Sequence, residues 1–173
     1  TPVPTPSPIP APSPAPVPAP VPAPAPVPAP VPLQGTEKKI IIKNFNMNGI
    51  EVDREFYVYE PGNPNFIKMP VLFIFHGFGG NALKFMNNDL KKLADQYKFM
   101  IISVQGALLD QSDPFSSHFN NSKMYSQTSK SNAADFNYIE RIINYLNQSY
   151  KDKIDNKKLW AMGFSNGGSF VYK

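Results

Sequence analysis

The stretch Leu159-Trp160-Ala161-Met162-Gly163-Phe164-Ser165-Asn166-Gly167-Gly168 decides how the rest of the chain is read. Leu159–Met162 has the composition of a short buried strand, and it runs straight into G-x-S-x-G. A glycine two places before the serine and another two places after it let the backbone reverse sharply and let a neighbouring chain approach closely. Such a turn holds the serine hydroxyl above the end of a sheet, beside a helix amino terminus. Ser165 is therefore the candidate nucleophile, and Gly163 and Gly167 are the elbow glycines. A plain glycine-rich turn has the same five-residue pattern. The placement between an apolar strand and a helix-like continuation favours the nucleophile.

A second motif lies upstream. Val71–Phe75 (V-L-F-I-F) is a continuous apolar run, as expected of a strand buried on both faces, and it ends in His76-Gly77-Phe78-Gly79-Gly80. Small residues there leave amide N–H groups able to point at a substrate oxygen, and an acyl-transfer intermediate needs two such donors on its oxyanion. Asn166 N–H, just after the nucleophile, is the expected first donor. Phe78 N–H is the second, with Gly79 the alternative. His76 reads as a structural histidine bracing this loop.

The remaining segments fit the same architecture. Lys38–Phe45 and the alternating Ile50–Tyr59 flank Asn48-Gly49 and read as a β-hairpin. Leu83, Met86, Leu90, Leu93, Ala94 and Tyr97 fall at helical spacing, and Phe99–Val104 is a further buried strand. The polar stretch Gln105–Ser131 reads as a long surface loop. A helix capped by Asn132 is expected to run to about Tyr150, with Phe136, Ile139, Ile143 and Leu146 inward. Buried strands alternating with helices predict an α/β fold with a parallel sheet covered on both faces and joined by crossover helices.

With these residues in place the chain resembles the α/β-hydrolase superfamily. More narrowly, it resembles the secreted esterases grouped with polyhydroxybutyrate depolymerases and feruloyl or acetylxylan esterases. The likeness covers roughly Arg54 to Lys173 and rests on R-E-F-Y-V-Y-E-P, V-L-F-I-F-H-G-F-G-G, L-A-D-Q-Y-K-F-M-I-I-S-V, A-D-F-N-Y-I and W-A-M-G-F-S-N-G-G-S. It implies a serine carboxylic-ester hydrolase with Ser165 as nucleophile and Phe78 and Asn166 as oxyanion donors. Asp135 matches one member of an Asp-Asp pair usual before the helix, where Ala134 replaces the other. It reads as structural.

The chain also departs from that pattern. The family's triad runs serine, acid, histidine, and the eight residues after Ser165 include neither an acid nor a histidine. His118 lies in the long loop, on the wrong side of the nucleophile. The expectation is the amino-terminal half of an α/β-hydrolase fold, inactive alone, with Leu159–Met162 left as an exposed apolar edge.

Composition bounds the rest. Of 20 prolines in 173 residues, 16 occupy every even position from Pro2 to Pro32. Alternating proline favours a polyproline-II rod, up to about 100 Å long at roughly 3.1 Å per residue. Prolines an even number apart never give the P-x-x-P of proline-reading domains. Residues 1–35 are therefore read as a linker and 36–173 as a partial esterase domain. Such a tether implies an upstream module, carbohydrate-binding or other, and secretion. The expected substrate is a plant cell-wall polysaccharide ester or, alternatively, a polyester. A non-catalytic binding or spacer module that kept the serine turn is the reading from another class. The net charge of +4 is scattered, which argues against nucleic acid, and no apolar run suits a membrane. The lack of cysteine excludes disulfides and a zinc-thiolate site, and the motifs imply no metal or organic cofactor. The sequons Asn120-Asn121-Ser122 and Asn147-Gln148-Ser149 permit glycosylation in a eukaryotic source.

Overall fold

A computed structural model describes residues 34–47, 49–62, 68–108, 110–120 and 133–172. The rod expected from alternating proline, the cap expected at Asn132 and the turn residue Asn48 lie outside them. Strands β1 (Thr36–Met47) and β2 (Ile50–Glu60) pair antiparallel, with Met47 opposite Ile50 at the closed end. Gly49 takes a φ of +91° in that turn, a conformation glycine adopts without strain. The expected hairpin is present.

Strands β3 (Met69–Phe75), β4 (Met100–Val104) and β7 (Ile154–Gly163) complete a five-stranded sheet in the order β1-β2-β4-β3-β7. The β4–β3 and β3–β7 pairs are parallel, and β2 joins β4 antiparallel. Alternate side chains divide the core into two layers. Phe56, Val58, Val71, Phe73, Phe75, Met100 and Ile102 pack with helices α3 (Ala133–Ser149) and α4 (Asn166–Val171). Tyr57, Tyr59, Ile74 and Ile101 pack with α1 (Ala82–Phe85) and α2 (Asn88–Tyr97). Both faces of the sheet are covered, as the unbroken apolar runs of β3 and β4 require.

Four local expectations are corrected. The Leu83–Tyr97 periodicity is not one helix but two, because Asn87 caps α2 by accepting Leu90 N–H at 2.9 Å and so interrupts the run. Leu93 and Tyr97 of that stripe are exposed. On α3 the buried set is Ala134, Tyr138, Ile142 and Leu146, with Ile139 and Ile143 of the expected stripe partly buried against the same core and Phe136 exposed. The cause is a buried ion pair: Asp135 in the first turn accepts from Arg54 of β2 at 2.9 Å. The Arg54 guanidinium carbon then lies 4.1 Å from the centre of the Tyr138 ring and draws that face inward.

Residues 105–120 are not a plain surface loop. They contain the short strands β5 (Ala107–Leu108) and β6 (Ser117–His118), and Ser116, Ser117, His118, Phe119 and Asn120 are buried. Finally, β7 is longer than the expected Leu159–Met162; it lies at an edge of the sheet with Trp160 57% and Met162 42% exposed, in line with the exposed apolar edge expected there.

The Tyr138 hydroxyl is buried and has no hydrogen-bond partner among the described residues. An unpartnered buried hydroxyl costs about 1–3 kcal/mol, so Tyr138→Phe, which keeps the ring under Arg54, is expected to raise stability by roughly 1 kcal/mol. A urea denaturation curve shifted to lower midpoint would contradict this.

Candidate active site

Ser165 sits where β7 turns into α4, with φ 51° and ψ −113°. A non-glycine residue held there stores about 1–3 kcal/mol of backbone strain, which persists only where the surroundings over-determine it. Here the surroundings are glycines packed against backbone. A Cβ on Gly167 would stand 2.5 Å from the His76 carbonyl oxygen and closer still to that of Phe75. A Cβ on Gly163 would stand 2.6 Å from Gly168 N and closer to the Gly167 carbonyl. Phe164 N–H donates to Phe75 O at 3.1 Å, tying the elbow to the end of β3. The Ser165 residue is exposed, and its hydroxyl makes no cap bond to α4.

The His76–Gly80 loop lies against this elbow. A Cβ on Gly77 would come within 3.5 Å of Ser165 Cβ and 3.1 Å of the Phe164 ring. Gly79 adopts φ +69°, and its N–H donates to Ser117 O at 2.8 Å. The Gly79 amide is thus engaged by the scaffold. Asn166 opens α4, so its N–H has no carbonyl to bond within the helix.

Both histidines of the chain hold structure. His76 Nδ1 donates to Gly77 O at 2.7 Å, while Nε2 accepts from Gly106 N–H at 3.0 Å and faces Gln105 Nε2 at 3.2 Å. That pattern requires a neutral ring with its proton on Nδ1. His118 Nδ1 donates to Ala107 O at 3.1 Å. Burial, the largest cause in each case, lowers the pKa of His76 and of His118 below the ordinary histidine value. Their unfolded forms therefore bind protons that the folded form refuses. The stability this contributes is complete above about pH 6.5 and falls as pH drops toward each folded pKa. The melting temperature is expected to decline between pH 7 and pH 5, and His76→Gln to flatten part of that slope. A flat wild-type profile over this range would contradict the assignment.

Asp135 is structural here, with one oxygen on Arg54 and the other accepting Asn120 N–H at 2.8 Å. Sequence reasoning missed Ser117, Phe119 and the Asn166 side chain. Asn166 Oδ1 accepts Phe119 N–H at 2.8 Å and its Nδ2 donates to Phe119 O at 2.9 Å. The Phe119 ring packs on His76, Phe75 and Phe170 at centroid distances of 4.9–5.4 Å. The signal available was S-S-H-F-N, an aromatic among small polar residues in a stretch otherwise typical of solvent.

The fold has counterparts among solved structures. An S-formylglutathione hydrolase of Agrobacterium tumefaciens superposes with a TM-score of 0.61 at 14% identity, over 79% of this chain and 51% of that one. An acetyl xylan esterase of Aspergillus awamori gives 0.54 at 18% identity, over 75% and 43%. A ferulic acid esterase of Anaeromyces mucronatus, solved with ferulic acid, gives 0.50 at 20%, over 77% and 50%. No protein-family model matches the sequence, and no curated protein matches it. The chain spans about half the length of the structures it matches. Its fold is that of the amino-terminal half of an α/β-hydrolase: the hairpin, the parallel strands with their crossover helices, and the strand–serine–helix turn.

Proposed function

We propose that this chain carries the nucleophile half of a serine carboxylic-ester hydrolase. The observation that supports the reading most is the strained Ser165 backbone, locked between β7 and α4 by glycines and faced by the His76–Gly80 loop. In the reaction, Ser165 Oγ attacks the ester carbonyl and passes its proton to a base. The oxyanion accepts from Asn166 N–H and Phe78 N–H; the alcohol leaves with a proton, and water releases the acid. Both histidines are engaged in the scaffold. On this reading neither His76 nor His118 is assigned as the general base.

For the substrate we favour feruloyl over acetyl esters of plant cell-wall polysaccharide. Phe78, Phe115 and Phe164 are 49%, 75% and 67% exposed, and all three border the elbow or the loop facing it. Apolar rings suit an aromatic acyl group better than a methyl. The same surface suits a polyester, which is the second reading. We further propose secretion and a carbohydrate-binding module joined through the proline tract.

The test has two parts. The 173-residue chain is expected to hydrolyse methyl ferulate and p-nitrophenyl acetate no faster than its Ser165→Ala variant; turnover lost in that variant would show that a base is present after all. A fluorophosphonate is expected to label Ser165 slowly but selectively. Retention on insoluble xylan with no labelling would favour a binding module instead.

A further inference from the structure

We propose that residues 117–120 form a strut that fixes the separation of the two oxyanion amides, and that Asp135, held by Arg54, is the positioning residue anchoring it. This rests on the reading of Phe78 and Asn166 as the donors. The strut grips both sides of the site. Ser117 O accepts Gly79 N–H at 2.8 Å and Ser117 Oγ donates to Gly80 O at 2.5 Å, which holds the loop carrying Phe78. Two residues on, the Phe119 backbone makes its reciprocal pair with the Asn166 side chain, which holds the start of α4.

The far end is tied to the core. Asn120 N–H donates to Asp135 Oδ2, and Asp135 Oδ1 accepts from Arg54, whose same nitrogen also reaches Gln105 O at 3.2 Å. Arg54, Asp135, Ser117, Asn120 and Asn166 are all buried, and the Arg54–Asp135, Asp135–Asn120 and Asn166–Phe119 bonds are made out of reach of water. Donors that stabilise a developing oxyanion act by being fixed in advance. A strut bonded to both supporting segments, with a buried charge at its root, does that without touching the substrate.

The experiment is amide hydrogen exchange on the 173-residue chain, resolved by NMR. The variant is Arg54→Met with Asp135→Leu. Replacing both charges by apolar side chains keeps the fold stable, yet Asn120 N–H loses its acceptor. Gly79 and Phe119 N–H are expected to exchange about tenfold faster than in wild type, with Ile102 of β4 unchanged. Acceleration confined to Asn120, with Gly79 and Phe119 at wild-type rates, overturns the proposal. Should the pair fail to fold, Ser117→Ala removes one hydroxyl only. Faster exchange at Gly79 is then expected, and an unchanged rate there overturns it. These rates do not depend on turnover. Failure of Ser165 to take a fluorophosphonate would count against the ester-hydrolase reading and leave the strut standing.

Discussion

Arg54→Met alone is expected to destabilise the chain by about 3–5 kcal/mol, the effect of leaving one member of a buried ion pair without its partner. Arg54 and Asp135 each keep only 5% of their side-chain surface exposed. Water can therefore not take over the role of the missing guanidinium around the carboxylate. Three further losses add to it: the bond to Gln105 O, the cation–π contact with Tyr138 and the weaker one with Phe45. A urea midpoint within 1 kcal/mol of wild type, about the range of exposed pairs, would sink the claim. The exposed Lys92–Asp89 pair is the natural control, with an expected effect below about 1 kcal/mol.

Gly167→Ala is the second large effect. The added methyl would have to enter space already held by the carbonyl oxygens of Phe75 and His76, both backbone atoms with little freedom to move. Overpacking typically costs about 1–3 kcal/mol, and contacts this close to backbone put Gly167→Ala at the upper end of that range. Here the displaced atoms belong to the strand end that carries the His76–Gly80 loop. Loss of fluorophosphonate labelling at Ser165 is expected together with the loss of stability. Gly168→Ala supplies the contrast, since its Cβ would meet nothing nearer than Gly163 O at 3.1 Å. A gain in helix propensity of up to about 1 kcal/mol offsets that mild contact. Equal behaviour of the two variants would show that the elbow is not packed as described.

The hairpin, the unbroken strands β3 and β4 and the turn at Ser165 were legible because each follows from residues adjacent in sequence. Alternation, continuous apolar runs and paired glycines are local signals. What escaped depended on partners far along the chain. The rotation of α3 is decided by Arg54, 81 residues before Asp135. Periodicity alone could not separate two stripes that both contain Leu146. Likewise, Ser117–Asn120 is polar by composition and buried in fact, because Asn166, 47 residues beyond Phe119, satisfies that residue's backbone. The break between α1 and α2 was present in the sequence as Asn87, but its weight against the apolar spacing shows only once its side chain is seen to accept Leu90 N–H.

The two edges of the sheet are unlike. The β1 edge presents Glu37, Lys38, Lys39 and Lys43, charges of the kind that discourage pairing with another strand. On the β7 edge the carboxyl-terminal part presents Trp160 and Met162 instead. Adhesion through the sheet is thus one-sided. A filament of strands needs every unit to be sticky on two sides, whereas a unit sticky on one side is used up by a single contact. The charged margin of β1 therefore confines strand addition to the β7 side: two copies meeting there would leave a charged β1 margin at each end of the joint sheet.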